Sequence, residues 1–271
     1  MRITTRKRAA VASAALALAG MVMLAGQATA ASAAPQGKYF GQYTCSSGIL
    51  EPGSYSSVVI IGNCSLTDLG TVQISGVLRV AHDATFNAQT NGTLIVDGNF
   101  SSGTNSITDI GCNTALVGSP CTTDTDDVIM GDVYSDHSLE MDFQNVTVGG
   151  SYEVYAADDS YPDNTGCTMT DPSGEPDFMT FEAGSVAGNF TYDGIYTCSM
   201  SLLRAHIGGS VYVLSNRTNA TVPGFANRSP ELAVNVISGK LVCTGNKPKP
   251  TLGHGKPNIA RKGKFGQCKH L

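Results

Sequence analysis

Aspartates in two loops are the residues of this chain whose type and spacing are best suited to chemistry. The two clusters are Asp124, Asp126 and Asp127, and Asp158, Asp159 and Asp163. Ca²⁺ takes six to eight oxygen ligands, which carboxylates can supply. Neither cluster has the spacing of an EF-hand loop or of a calcium-binding nonapeptide repeat. Both are therefore candidate Ca²⁺ sites without a motif, and the sequence assigns no metal ligand.

Catalytic chemistry has weaker support. A glycoside hydrolase needs two carboxylates at a defined separation, but the adjacent residues Asp126 and Asp127 would point to opposite faces of a strand. No GxSxG or HExxH motif occurs. The histidines are scattered, at His82, His137, His206, His254 and His270. The sequence favours a protein without catalytic or cofactor-binding residues, and the alternative is a polysaccharide lyase or glycoside hydrolase.

The eight cysteines are even in number and contain no CxxC pair, which favours disulfides over zinc. Eight cysteines allow 105 connectivities, of which pairing between neighbours is the simplest. The neighbour pairs are Cys45–Cys64, Cys112–Cys121, Cys167–Cys198 and Cys243–Cys268.

The first 34 residues are typical of a cleaved export signal. Basic residues at Arg2 and from Arg6 to Arg8 precede an apolar run from Ala9 to Gly26, and small-residue sites follow. No second long apolar run is present, so we expect no transmembrane segment. The pattern predicts a signal peptide at 1–34, a folded domain at 35–243 and a basic C-terminal segment at 244–271, in a secreted protein.

Composition argues against helices. The chain has 31 glycines, and only 14% of its residues are charged. After residue 40 no stretch shows the regular apolar period of an amphipathic helix. Short Val and Ile runs are instead separated by Gly, Asn and Asp, a pattern that indicates many short strands.

A segment built around one glycine recurs eight times, from Val58–Leu66 to Asn235–Cys243. The central glycines are Gly62, Gly76, Gly98, Gly131, Gly150, Gly188, Gly209 and Gly239. Two positions before the glycine lie Ile60, Ile74, Val96, Ile129, Val148, Val186, Ile207 and Ile237. Two positions after it lie Cys64, Leu78, Phe100, Val133, Tyr152, Phe190, Val211 and Leu241. Position +1 is mostly Asn, Asp or Ser.

Positions −2 and +2 face the same side of an extended chain, because side chains alternate along a strand. Stacked segments can bury this face, whereas one segment alone cannot. The pattern predicts an all-β, single-domain β-solenoid of irregular turns of about twenty residues, held by disulfides. Its loop insertions would be Gly103–Asp126, Ala156–Thr180 and Ser215–Leu232. A β-sandwich, which also has many short strands, is the rival interpretation.

The sequence resembles a group of actinobacterial exported proteins of unknown function that carry Val-x-Gly-Asn-Leu/Phe repeats. The matching segments are Tyr43-Thr44-Cys45, Gly98-Asn99-Phe100, Cys243-Thr244-Gly245-Asn246-Lys247-Pro248 and Gly266-Gln267-Cys268. The resemblance covers most of the chain after the signal, and it supports the solenoid and the Cys45–Cys64 and Cys243–Cys268 pairs. It implies no activity and no catalytic residues. The acidic insertion around Cys167 and the basic tail depart from it.

Charge is divided along the chain. Residues 80–203 contain 19 acidic residues and no Lys or Arg, whereas residues 204–271 contain 11 basic residues and one acid, Glu231. A charged outer surface for solubility explains this pattern without a ligand. The basic tail is alternatively a contact for an anionic cell-wall polymer. It lacks the interleaved aromatic residues of a nucleic-acid site, so nucleic acid is not an expected partner.

The tail has a second interpretation as a cap. Eight basic residues and no acid lie within 240–271, and Arg261 stands two positions before Gly263, where other copies have Ile or Val. A charged end segment would block edge-to-edge stacking.

The sequence favours a non-enzymatic structural or binding protein, secreted or associated with the cell wall. Tyr134 and Tyr212, at position +3 of their segments, are candidate outward-facing sugar contacts.

Overall fold

The described part of the chain is all-β, as predicted. A computed structural model describes residues 41–115, 121–156, 178–218 and 229–271, which belong to one compact unit, Ala34–Leu271. Every regular element in these ranges is a β-strand, and none of them contains a helix long and apolar enough to cross a membrane. The predicted signal segment, 1–34, lies outside the described residues.

Nine strands form one parallel sheet. In sheet order they are β2 (Gly53–Tyr55), β4 (Thr71–Ile74), β7 (Thr93–Val96), β10 (Asp127–Ile129), β13 (Val146–Val148), β16 (Ser185–Val186), β20 (His206–Ile207), β24 (Val236–Ile237) and β26 (Ile259–Ala260).

A sixteen-stranded parallel sheet has two arms that both begin at β3 (Ser57–Leu66), with which β1 (Gln42–Leu50) also pairs. The first arm contains β5 (Leu78–Val80), β8 (Phe100–Ser102), β11 (Val133–Asp136), β14 (Tyr152–Tyr155), β17 (Phe190–Asp193), β21 (Val211–Leu214), β25 (Leu241–Thr244) and β27 (Lys264–Gly266). The second arm contains β6 (Thr85–Ala88), β9 (Ile107–Ile110), β12 (Glu140–Gln144), β15 (Phe178–Glu182), β19 (Ser199–Leu203) and β23 (Glu231–Ala233). A small parallel pair joins β18 (Tyr196–Thr197) to β22 (Arg217–Thr218).

The chain visits the three stacks of strands in a fixed order. It passes through the nine-stranded sheet at β4, the first arm at β5 and the second arm at β6, and then returns so that β7, β8 and β9 pair with those strands. Strands β10, β11 and β12 repeat the order. Parallel neighbours cannot be joined by a hairpin and need a crossover. Here each crossover consists of the strands in the other two stacks.

The predicted apolar columns lie in the core. All eight residues at position −2 and all eight at position +2 are buried, with exposed fractions of 2% or less. Aromatic rings from the two arms meet between them: the Tyr152 ring stacks on Phe190 at a centroid distance of 4.9 Å and meets Phe181 edge-on at 5.2 Å. The alternation of side chains along the strands therefore identified the interior correctly.

Seven of the predicted central glycines, Gly76 to Gly239, form one continuous column. The N–H of each donates to the carbonyl oxygen of the preceding one, at 2.7–3.1 Å. The column is close-packed, since a Cβ added to Gly98 would lie 2.5 Å from the Gly76 carbonyl oxygen. Glycine is needed at this position because adjacent turns approach through their backbones.

The first predicted copy of the repeat is out of register. Leu78, at position +2 of the second copy, lies opposite Val58, whereas Cys64 lies opposite Phe86. Gly62 is thus not a member of the glycine column, and a Cβ there would meet the carbonyl oxygen of Ser46 in β1. The local sequence resembles the repeat, but strand pairing sets the register.

The predicted register of the tail is also wrong by one residue. Ala260 lies opposite Ile237, and the N–H of Lys262, not that of Gly263, donates to the Gly239 carbonyl at 3.0 Å. Ala260 therefore takes the −2 position that the sequence analysis gave to Arg261. The apolar pattern continues into this segment, although with a smaller side chain.

The predicted insertions are shorter than expected where they are described. Residues 107–110 of Gly103–Asp126 form β9 and pair with β6 and β12, so the insertion begins after Ile110. Arg217 and Thr218 of Ser215–Leu232 form β22, and Glu231 and Leu232 begin β23. Residues 157–177 and 219–228 lie outside the described residues.

Three of the four predicted disulfides are present, Cys45–Cys64, Cys112–Cys121 and Cys243–Cys268. Cys167 lies outside the described residues, so the predicted pair with Cys198 is not described. None of the described cysteines is free.

Buried asparagines join successive corners of the chain. The Asn216 side chain is fully buried; its Oδ1 accepts from the Ile195 N–H at 2.8 Å, and its Nδ2 donates to the Tyr192 carbonyl at 3.0 Å and to Asn246 Oδ1 at 3.0 Å. Asn235 and Asn258 form an equivalent ladder at another corner, with an Nδ2–Oδ1 distance of 2.8 Å. These amides satisfy backbone groups where the strands end.

The C-terminal segment extends both large sheets. Strand β26 extends the nine-stranded sheet and β27 extends the first arm. Cys268 is fully buried and Leu271 packs against the core. Lys240 lies over the Phe265 ring, 5.6 Å from its centroid.

Candidate functional site

An open groove of about 420 Å³ lies on the outer face of the first arm, across β8, β11 and β14. Its lining residues are Val77, Asn99, Phe100, Ser101, Asp132, Val133, Tyr134, Ser151 and Glu153. Those that point outward are at position +1, next to the glycine column, or at position +3. The groove is thus made by equivalent positions on successive passes of the chain.

A ladder of polar side chains forms one wall of the groove. Asn99 Oδ1 accepts from the Asp132 N–H at 3.0 Å, and Asp132 Oδ1 accepts from the Ser151 N–H at 2.8 Å. The ladder continues through Asn189 to Ser210 at 2.9 Å. This bonding explains why position +1 is usually Asn, Asp or Ser, because the side chain must accept from the next N–H.

Tyr134 and Glu153 form the other wall, and Tyr155 lies beside them. Tyr134 has an exposed fraction of 45%, and its ring centroid is 5.9 Å from that of Tyr155. Glu153 lies opposite Tyr134 in the sheet register, and its Oε2 accepts from the Tyr155 hydroxyl at 3.4 Å. An aromatic ring thus lies beside a carboxylate on an open surface.

The electrostatic surroundings of the tyrosines are acidic. Partial burial, followed by the charges of Asp136 and Glu153, raises the pKa of Tyr134 above its ordinary value. Burial and Glu153 raise the pKa of Tyr155 in the same direction. Both phenols are therefore neutral hydrogen-bonding groups at physiological pH, and the charge around them is negative.

The structure separates the two tyrosines that the sequence singled out. Tyr134 and Tyr212 lie in the same outward row, but Glu153 of β14 and Thr191 of β17 come between them. Tyr212 is half-buried and does not line the groove. Sequence reasoning missed Glu153 and Tyr155, whose only signal is their place two and four residues, respectively, after the ladder residue Ser151.

The aspartates of the first candidate Ca²⁺ cluster do not converge. Asp127 is fully buried and accepts from the Leu94 N–H at 2.5 Å and from the Thr125 hydroxyl at 2.7 Å. Burial raises its pKa to about 6. Asp126 is exposed, and Asp124 accepts two hydrogen bonds from Thr114, which lower its pKa.

No group of three His, Cys, Asp or Glu side chains within the described ranges is arranged to hold a metal ion. The hypothesis that Asp124, Asp126 and Asp127 bind one ion together therefore has no geometric support. The second cluster, Asp158, Asp159 and Asp163, lies outside the described residues.

A second acidic group lies on the second arm. Asp109 and Asp142 are opposite each other in β9 and β12, and Asp142 Oδ2 accepts from Gln89 at 2.6 Å and from Gln144 at 2.8 Å. Glu182 forms an ion pair with Arg204. Burial raises the pKa of Glu182 and Arg204 opposes the shift. Asp142 Oδ2 and the Glu182 carboxylate are thus engaged within the protein.

Comparisons of the chain with protein-family models, with curated proteins and with solved structures found no match. The resemblance to actinobacterial exported proteins therefore stays a prediction.

Proposed function

We propose that this chain is an exported, non-enzymatic binding protein of the cell surface or extracellular medium, built as a β-solenoid, that binds carbohydrate through the groove on its first arm. The observation that carries the proposal is the Tyr134 ring, exposed beside Glu153 in a groove made by successive strands. Exposed aromatic rings offer a flat apolar surface with a polar edge. Adjacent carboxylates accept hydrogen bonds from hydroxyl groups.

The fixed visiting order of the three stacks supports a β-solenoid. In such a fold each turn contacts mainly the turns before and after it. The glycine column and the +1 ladder have this property, because each member bonds to the member of the next pass. The proposal also accounts for the burial of positions −2 and +2.

Export is supported by the N-terminal sequence pattern and by the cysteines. Disulfides persist in oxidising compartments and are rare in the cytosol. Three are described here, which fits a protein that folds after secretion.

The basic C-terminal segment supports a second, electrostatic contact. Lys240, Lys262, Lys264 and Lys269 belong to a stretch without acidic residues, and attraction of this kind is weakened by salt. An anionic cell-wall polymer is the proposed partner of this end. Salt-dependent release of the protein from isolated wall material would test it.

A carbohydrate-active enzyme is the second candidate, and the in-register pair Asp109 and Asp142 favours it. Two carboxylates on adjacent strands resemble the close pair of a retaining glycosidase. An enzyme would release reducing or unsaturated ends from a polysaccharide, and Asp142→Asn would abolish the release.

The test of the binding function is a titration of the secreted chain with linear glycans of several classes. We expect binding of at least one class, weakened by Tyr134→Ala and unchanged by Tyr212→Ala, which alters the same residue type in the same row outside the groove. Absence of binding to every class would refute the carbohydrate proposal. Fractionation of the native host would show whether the protein is free or wall-bound.

A further inference from the structure

We infer that the groove binds a polysaccharide that carries protonated amines, through the Tyr134 ring and the carboxylates of Asp132 and Glu153 beside it. The inference rests on the proposed carbohydrate-binding function and names the class of sugar. It is drawn from the charge, the row geometry and the position of the groove on the face of a sheet.

The charged residues that line the groove are all acidic. Asp132 and Glu153 line it, and Asp136 follows Tyr134 on the same strand. No Lys or Arg occurs from residue 80 to 203. The nearest basic residue in the sheet register is Arg79, which lies opposite Ser101 at the margin of the groove. The groove would attract an ammonium group and repel a uronate.

Asp132 is held by a short backbone bond, and both carboxylates retain bonding capacity. Asp132 Oδ1 accepts from the Ser151 N–H at 2.8 Å, and Glu153 Oε2 accepts from the Tyr155 hydroxyl at 3.4 Å. A carboxylate offers about four lone-pair sites. Each can therefore accept a further charge-assisted hydrogen bond from an ammonium group, which is stronger than one from a neutral hydroxyl.

The Tyr134 ring adds attraction for the same group. A cation placed over an aromatic face is stabilised by the ring quadrupole. Glu153 lies opposite Tyr134 on the neighbouring strand, and Asp132 lies two residues before it on the same face. An amine held over the ring is thus within reach of a carboxylate on either side.

The row geometry suits a linear polymer. Ser101, Tyr134 and Glu153 follow one another across adjacent strands, which are spaced by about 4.8 Å in a parallel sheet. A sugar chain laid along this row presents about one ring to each strand. The groove lies on a sheet face, where a peptide cannot add as a strand, because strand addition needs a free edge.

The experiment is a calorimetric titration of the secreted chain with two oligosaccharides of equal length. One is a β-1,4-linked glucosamine hexamer, at a pH below the pKa of its amines, and the other is its fully N-acetylated form. We expect the glucosamine hexamer to bind about tenfold more tightly or better, since acetylation removes the charge. Raising the salt concentration should reduce the difference.

Four variants locate the site. Tyr134→Ala and Glu153→Gln should each weaken binding of the glucosamine hexamer about tenfold. Arg79→Gln should tighten it, because a repulsive charge at the margin is removed. Asp68→Asn, which removes an exposed acid from a loop outside the groove, should leave it unchanged. Unaltered thermal unfolding confirms that each variant is folded.

The titrations distinguish recognition of the amine from binding of carbohydrate in general. Equal affinity for the two hexamers, with Tyr134→Ala weakening both, would overturn the amine inference and retain the carbohydrate site. Unchanged binding in Tyr134→Ala and Glu153→Gln would overturn the assignment of the groove. Tighter binding of a lysine-rich peptide of matched charge than of the glucosamine hexamer would replace the polysaccharide by a protein partner.

Discussion

Buried polar side chains carry the most specific information at the residue scale. Asp127 is fully buried, and its pKa is raised to about 6 by that burial. It fixes the strand after an insertion, through Leu94 and Thr125. The folded protein thus holds a proton that the unfolded chain would release near its ordinary pKa of 3.8.

We predict that ionisation of Asp127 lowers stability as pH rises from about 4 to about 6. Because the pKa of Asp127 is higher in the folded state, the folded protein binds more protons than the unfolded chain in this window. The resulting stabilisation is complete at pH values below the pKa of the unfolded state, and it is lost as the pH rises through the pKa of the folded state. The effect is about 3 kcal/mol at most. Urea unfolding across this range should show a pH dependence that Asp127→Asn reduces and Asp126→Asn preserves. An identical slope in Asp127→Asn would contradict the assignment.

Two asparagines with different surroundings give a matched comparison. Asn216 is fully buried and bonds Ile195, Tyr192 and Asn246. Asn189 is exposed; its N–H donates to Ser151 Oγ at 3.3 Å, and its Oδ1 accepts from the Ser210 N–H at 2.9 Å. We predict that Asn216→Ala costs about 3 kcal/mol, because buried partners lose their bonds. Asn189→Ala should cost under about 1 kcal/mol, since water replaces the amide, and Asn189→Asp should be tolerated. Chemical denaturation measures all three, and equal costs would refute the ladder interpretation.

At the scale of the elements, the glycine column sets the distance between successive passes of the chain. We predict that Gly98→Ala destabilises the fold by about 1–3 kcal/mol, the usual range for overpacking, because the added Cβ would lie 2.5 Å from the Gly76 carbonyl oxygen. Gly103→Ala is the control, since its Cβ would find no atom nearer than 3.3 Å. Thermal unfolding of both variants tests this, and similar melting temperatures would show that the column can relax.

At the scale of the whole molecule, the basic C-terminal segment covers the last strands of both large sheets. Removal of residues 244–271 would take away β26, β27 and the Cys268 partner of Cys243, leaving the edges of β24 and β25 open. Unprotected strand edges associate with other edges. We predict that this truncation melts at a lower temperature and self-associates at any salt concentration. The double variant Lys262→Gln/Lys264→Gln, which keeps the backbone, should do neither. Light scattering and melting of both proteins test the cap, and a truncation indistinguishable from the full chain would eliminate it.

The sequence predicted the interior better than the surface. The Ile or Val at position −2 and the apolar residue at position +2 can be recognised from the sequence alone, because side chains alternate along a strand whichever strands it pairs with. Gly62 was misplaced because VVIIGNCSL matches the repeat locally, while its partners in β1 and β5 fix another register. The groove could not be predicted, since Asn99, Asp132 and Ser151 are separated by 33 and then 19 residues. Insertions of irregular length hide such neighbours.

The glycine column has a genetic consequence. Each glycine donates to the one before it and accepts from the one after it, with nearly the same geometry from Gly76 to Gly239. Deletion of one whole pass, such as residues 99–131, would bring Gly150 opposite Gly98, where the two could form the same bond, and duplication of a pass would add one more glycine to the column. Such a chain can change its length by whole units through unequal recombination while keeping the backbone bonds of the column. The number of passes is then the property most free to differ among descendants of the gene.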